Sequence, residues 1–151
     1  MSIGVAVIGA GMAGRGHAAA YRAATSLYES NLPPIRLVSI CDVNEEFASA
    51  AASRFGFERF DTDWRAIAEN PEIHAVSVVV ANHLHREIVE ALISAGKHVL
   101  CEKPLSGTML EAKSMVASAE MAKPVARVGL TFLFNPAVAA IRQIIASGQL
   151  G

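Results

Sequence analysis

Four runs of this sequence, Ile3–Ile8, Ile35–Asp42, Ala75–Ala81 and His98–Cys101, are apolar along most of their length instead of alternating apolar with polar. A strand with one wet face alternates; a strand covered on both faces does not. Each run is followed by a stretch with helical signals, so the chain reads strand, helix, strand, helix from end to end. Parallel strands sandwiched between helices satisfy that order, and the expected fold class is α/β, a doubly wound open parallel sheet. In such sheets ligands bind beyond the carboxyl ends of the strands. The residues at which the apolar runs stop are therefore the first candidates for function.

The helical stretches carry their own punctuation. One extends from Met12 to about Tyr28, and the loop ESNLPP leads from it into the second strand. Asn44 stands where it would cap a helix with Phe47, Ala51 and Phe55 on one face, and Gly56 where it would end it. A short strand, Glu58–Phe60, precedes a small helix that begins near Thr62 and closes at Asn70–Pro71. A helix from about Leu84 to Ala95 stops at Gly96, and Thr108 with Glu111 has the spacing of a capping box ahead of another. Pro124 introduces a last strand, Val125–Leu130, and Asn135, Pro136 and Gly148 cap, start and terminate a final helix.

With 151 residues the chain has the size of one domain, and 52% hydrophobic against 18% charged residues makes it globular, not disordered. A net charge of -1 offers no basic footprint for nucleic acid and no polybasic arm for a membrane surface. No apolar run approaches the ~20 residues of a membrane span. The N-terminus also lacks the basic start of a secretory signal, so the sequence reads as a soluble, cytoplasmic protein. Cys41 and Cys101 end apolar runs, where a buried reduced thiol is the default and a redox pair the other reading.

The first run stops at Gly9-Ala10-Gly11-Met12-Ala13-Gly14, after a strand and at the start of a helix. In that context G-x-G-x-x-G binds a dinucleotide. Gly9 would make the tight turn, Gly11 would let backbone approach a pyrophosphate, and Gly14 would let helix pack on strand. Unpaired N–H groups at the helix start would face the phosphates. A tight strand–helix turn without a ligand uses the same glycines. Asp42 ends the second run, where a carboxylate accepts hydrogen bonds from ribose hydroxyls. It stands 28 positions after Gly14, later than the usual ~20, and the SLYESNLPP segment accounts for the delay. Val43, Asn44, Glu45 and Glu46 follow with no arginine, and the three carboxylates would repel a 2′-phosphate, which favours NAD over NADP. Alternatively, Asp42 only starts the turn into the next helix.

The fourth strand ends in Ala81-Asn82-His83-Leu84-His85. His83 and His85 have the spacing of a metal-binding pair on a strand, but no third ligand is near in sequence and no metal is expected. Asn82 and one histidine would face a ligand while the other begins the helix. His17, His74 and His98 read as a helix-face, a loop and a strand-start residue. The run His98–Cys101 stops at Glu102, Lys103 and Pro104. Beside a nicotinamide ring, Lys103 would hold a substrate hydroxyl and stabilise negative charge developing on its oxygen. An ordinary surface lysine in a turn is the competing reading.

Together, VAVIGAGMAGRGHAAA, ICDVNEE, VVVANHLHREIVEALISAGKHVLCEKPLSGT and FNPAVAAIRQIIASGQLG resemble the glucose–fructose oxidoreductase and inositol dehydrogenase family, often called Gfo/Idh/MocA. The likeness covers the whole chain, and the spaced set of glycine motif, N-x-x-H and E-K-P is more specific than the glycine motif alone. The resemblance implies a Rossmann domain at residues 1–130. Residues 131–151 would then be a connecting segment and helix leading into a C-terminal α/β substrate domain that is absent. It implies hydride transfer between NAD and a sugar, polyol or related hydroxylated small molecule, with Lys103 as the catalytic, substrate-activating residue. The expected cofactor site comprises Gly9, Ala10, Gly11, Met12, Gly14, Asp42, Val43, Ala81, Asn82, His85, Glu102 and Lys103. A cis peptide at Lys103–Pro104 is also implied, and a homo-oligomer is compatible with a full-length enzyme of this kind. Two positions depart from the family pattern: Ala81 replaces a frequent proline, and Leu133 a frequent arginine. As it stands, the fragment is expected to bind cofactor without turnover. The other functional reading is a stand-alone NAD-binding sensor or regulatory module without catalysis; Lys103 with Pro104 favours the enzyme, and the short length favours the module.

Overall fold

Strands apolar on both sides need cover on both sides, and β1 (Ile3–Ile8) shows how the chain provides it. Val5 and Val7 pack into one core with Ala18, Leu37, Ile40, Ala51 and Ala52, while Ala6 and Ile8 pack into the other with Val76, Val78, Ile88, Leu92 and Met115. Successive strand residues point to opposite faces, so one strand feeds two cores. The computed structural model describes residues 2–27 and 31–150. The other strands are β2 (Ile35–Cys41), β3 (Arg59–Asp61), β4 (Ala75–Val78), β5 (His98–Cys101) and β6 (Ala126–Val128). All pair in parallel, in the order β3-β2-β1-β4-β5-β6. The expected doubly wound sheet is thus present, and its order reverses between β1 and β4, where a crevice opens at the carboxyl edge.

The helices are α1 (Met12–Ala24), α2 (Glu45–Phe55), α3 (Arg65–Glu69), α4 (His85–Ser94), α5 (Met109–Glu120) and α6 (Pro136–Ala146). α1 closes at Ala24, ahead of the expected end; Tyr28 itself, and Glu29 and Ser30 of the expected loop, lie outside the described residues. Asn44 accepts from Phe47 N–H at 3.1 Å and Gly56 ends α2 with φ +73°, as the sequence suggests. The buried face of α2 is Ala48, Ala51 and Ala52, however, and Phe47 is 49% exposed. Three alanines let the helix lie close to the sheet, and Phe47 is left at the rim, 6.0 Å from the Arg15 guanidinium carbon. Thr108 accepts from Glu111 N–H at 3.3 Å, but its hydroxyl also donates to the Glu111 carboxylate at 3.0 Å, so that acid serves the hydroxyl and not the Thr108 amide. β4 stops at Val78, short of the expected Ala81; Val79 N–H still donates to Ile8 O at 2.8 Å, and Val79–Ala81 line the crevice. β3 starts one residue later than expected, at Arg59.

Cys41 and Cys101 end β2 and β5, with β1 and β4 between them. Three strand spacings put them about 14 Å apart, and a disulfide requires Cα atoms within ~7 Å. The redox pair is excluded by topology. Both thiols are free and buried, and burial pushes each up to about 12. Among the described residues no helix is long and apolar enough to cross a membrane.

One lysine ties the lower edge together. Lys97, 7% exposed, donates from Nζ to Asn70 O at 2.6 Å and Ile73 O at 2.9 Å, fixing the loop that feeds β4 to the start of β5. Burial pulls its amine below the usual lysine value. Lys97→Met keeps the alkyl stem, leaves Ile73 O without its donor and leaves Asn70 O with the Ile73 N–H at 3.3 Å. It should lower stability by about 2–3 kcal/mol, read from the urea midpoint at unchanged slope.

Candidate functional site

The turn after β1 shows which glycines the protein itself demands. Gly9 has φ +108°, and a β-carbon there would stand 2.2 Å from Val79 O. A β-carbon at Gly14 would stand 1.8 Å from Gly9 O, so α1 reaches β1 only because residue 14 has no side chain. At Gly11 a β-carbon would meet nothing within 4 Å. The protein therefore needs Gly9 and Gly14 for its own packing, whereas Gly11 faces open space. α1 has no side-chain cap and no acid in its first turn. Its first amide to find an intrahelical partner is Arg15 N–H, on Gly11 O at 3.0 Å. The amides of Met12 to Gly14 are left to an external acceptor.

Asp42 stands opposite that turn. Its Oδ2 accepts from Ala10 N–H at 2.8 Å and its Oδ1 from Asn44 N–H at 3.0 Å. The expectation that it starts the next turn is met by the Asn44 bond, and each oxygen retains a lone pair for a further donor. Ala10 is fully buried and its amide donates to Asp42, so it braces the turn. A cleft of about 590 Å³ runs from Gly9 and Gly11 past Asp42 and Val43 to Ala81. Its far wall, Thr62 to Arg65 with Leu84 and Ile88, was not anticipated from the sequence. The signal existed, since these residues follow β3 as Asp42 follows β2. The Arg65 guanidinium lies 4.5 Å from the Trp64 ring and pairs with Asp63 and Glu87, at 3.3 and 2.8 Å. Met12, 91% exposed, lines a separate concavity outside the turn with Arg15, Phe47 and Arg54.

The other half of the edge differs more from expectation. His85 is 1% exposed, with Nδ1 3.1 Å from Pro104 O and 3.2 Å from Leu105 O, and Nε2 3.0 Å from Val80 O. The ring lies inside the protein, beneath the edge where a cofactor was expected to meet it. It staples the turn after β5 to the end of β4, with carbonyl oxygens beside both ring nitrogens. Asn82 starts a 3₁₀ turn, Asn82–Leu84, and its amide nitrogen would stand 4.0 Å from a β-carbon at Gly107. His74 Nδ1 accepts from Gly4 N–H at 2.8 Å, and His98 Nδ1 from Val125 N–H at 2.9 Å; both are structural. The Glu102 carboxylate is turned into the protein, accepting from His17 Nε2 at 3.2 Å and from Lys103 N–H at 3.1 Å. The Lys103–Pro104 peptide is cis. Lys103 is exposed just past β5, and its amine has no hydrogen bond or ion pair among the described residues.

Comparison with known proteins adds three findings. A family model described as an oxidoreductase family with an NAD-binding Rossmann fold matches residues 3–130. Levoglucosan dehydrogenase of Pseudarthrobacter phenanthrenivorans is 40% identical over 99% of this chain and 38% of its own length. D-apiose dehydrogenase of Paraburkholderia graminis is 30% identical over 97% of this chain and 37% of its own length. Among solved structures, levoglucosan dehydrogenase in complex with NADH and levoglucosan superposes with a TM-score of 0.92 at 38% identity, covering 100% of this chain and 41% of that one. The chain thus spans about two fifths of the length of these relatives.

The two glycines separate binding from folding. Gly11→Ala should unfold at the wild-type urea midpoint, because its β-carbon meets no protein atom. Its NADH affinity, followed by nicotinamide fluorescence, should fall at least about tenfold, since the added carbon takes the space a pyrophosphate needs. Gly14→Ala should lose stability and binding together.

Proposed function

This chain belongs to the Gfo/Idh/MocA oxidoreductase family, and from that premise we propose that residues 1–151 are the cofactor half of a cytoplasmic dehydrogenase acting on a sugar, polyol or related hydroxylated molecule. Its Rossmann fold is of the NAD-binding kind. The observation that carries the reading is the pairing of Gly11, open and unobstructed, with Asp42 across the same cleft. The unpaired amides at the start of α1 hold the pyrophosphate, and the free lone pairs of Asp42 accept from the adenosine ribose hydroxyls. The cleft beyond Asp42, walled by Trp64, Leu84 and Ile88, takes the adenine. NAD supplies the hydride acceptor. The chain's own contribution to the chemistry is Lys103, an exposed ammonium at the carboxyl end of β5, which holds the substrate oxygen and stabilises the charge that gathers there. Residues 131–151 connect to the substrate-binding part; α6 buries no residue of its own and presents Ile141 and Ile145, 52% and 59% exposed. Two relatives that bear sugar names support the substrate class. A purely regulatory module would have no need of Lys103 at this edge.

NAD(H) should bind at least about tenfold more tightly than NADP(H), since a 2′-phosphate forfeits a charged hydrogen bond to Asp42 worth ~1.5–3 kcal/mol. Calorimetric titration with both cofactors measures the ratio, and equal affinities would remove Asp42 from this role. Turnover is a separate matter. Positioning contributes ~7–11 kcal/mol to such reactions, and among the described residues the substrate contact assigned here is Lys103. Incubation with NAD and a panel of sugars and polyols should give no protein-dependent NADH absorbance. Steady production that vanishes in Lys103→Ala would show instead that this domain suffices.

A further inference from the structure

α1 turns two polar side chains toward the sheet, His17 and Tyr21, and both reach Ser77 of β4, which is fully buried. Tyr21 Oη lies 2.9 Å from Ser77 Oγ, Ser77 Oγ 3.0 Å from His17 Nδ1, and His17 Nε2 3.2 Å from Glu102 Oε1. The direction of the protons follows from the acid end. A carboxylate only accepts, so His17 Nε2 carries a hydrogen; in the singly protonated ring Nδ1 accepts from Ser77, whose oxygen accepts from Tyr21. Burial raises the Tyr21 phenol above its ordinary value, which keeps the first donor protonated. At the far end the second Glu102 oxygen accepts from the backbone N–H of Lys103 at 3.1 Å.

Serine, histidine and acid stand in the order of a hydrolase triad, but Ser77 is 0% exposed and no substrate reaches it. The series is an internal tie between the helix that carries the glycine turn and the residue that carries the amine. Gly129, just past β6, completes it: a β-carbon there would stand 2.8 Å from Glu102 Oε1, so a glycine leaves the carboxylate its place. We propose that His17 is a positioning residue for Lys103, acting through Glu102 to fix the peptide from which the amine projects. The inference rests on the assignment of Lys103 to the substrate in the proposed function.

The test uses the 151-residue chain and needs no variant for its first step. Nitrogen-15 spectra of the His17 ring should show a hydrogen on Nε2 and a lone pair on Nδ1; the opposite tautomer would overturn the proposal. Lys103 is then labelled with trinitrobenzenesulfonate and quantified by peptide mass spectrometry against the exposed Lys113 and Lys123, with and without NADH. In the wild type NADH should protect Lys103. In His17→Leu that protection should fall by about tenfold, the worth of one hydrogen bond to a carboxylate, while NADH affinity stays within about threefold. His17→Gln, whose amide can still donate to Glu102, should restore it. Gly129→Ala, which leaves every donor in place but crowds the carboxylate, should reproduce the loss if His17→Leu proves unstable. Unchanged protection, or an unchanged Lys103 amide shift, in both His17→Leu and Gly129→Ala would refute the role. Should the wild type fail to bind NADH, the proposed function falls, while the ring tautomer and the Lys103 amide shift still judge this inference.

Discussion

The carboxyl edge of this domain is referenced to one close approach, that of Gly14 to the carbonyl of Gly9. A helix can touch the end of its own preceding strand only if no side chain stands between them, and the contact then fixes where the helix begins. Because α1 begins there, its unpaired amides open onto the space beside Gly11. The same turn brings Ala10 N–H onto Asp42, and Gly9 N–H onto Cys41 O at 2.7 Å. Strands β1 and β2 are thereby locked at the level where a ligand would lie. A methyl group at position 14 would disturb the strand, the helix and the acid together.

The buried polar groups follow a common plan. Ser39, fully buried on β2, donates to Asp61 at the end of β3 at 2.6 Å. Lys97 ties the start of β5 to the loop before β4, and His85 ties the end of β4 to the turn after β5. Each bridges elements that the backbone ladder leaves free at its ends. Among the described residues every deeply buried side-chain nitrogen and oxygen has a partner. In a sheet whose faces are covered almost wholly by apolar side chains, such ties supply directional order that dispersion alone does not.

Much of this was legible in the sequence because it is local. The glycine spacing, the Asn44 and Asn135 caps and the position of Asp42 at a strand end all follow from residues within a few places of one another. What escaped was set by distant partners. His85 looked like an edge residue because it follows Asn82, yet the carbonyls it meets belong to a turn some twenty positions away. Glu102 and His17 lie 85 positions apart, and nothing in either segment announces the other. Phe47 shared a helical face with Ala51 and Phe55, but α2 approaches the sheet on its alanines, a choice made by the space available and not by the period. Trp64 and Arg65 were missed because β3 has only three residues, too short a run for its end to stand out.

The strand order also has a temporal side. β1 is central in the sheet, yet its two neighbours arrive at very different moments of synthesis: Ile3 pairs with Ile35, whereas Val5 must wait for Ala75. A growing chain can assemble β1, α1 and β2 early, but one edge of β1 then stays open while α2, β3 and α3 are being made. Pairings of such sequence separation are slow to close, and an open apolar strand edge is a template for association with other chains. For this domain the hazard therefore belongs to the nascent state. It ends when β4 docks, which is also the moment at which the crevice acquires its second wall.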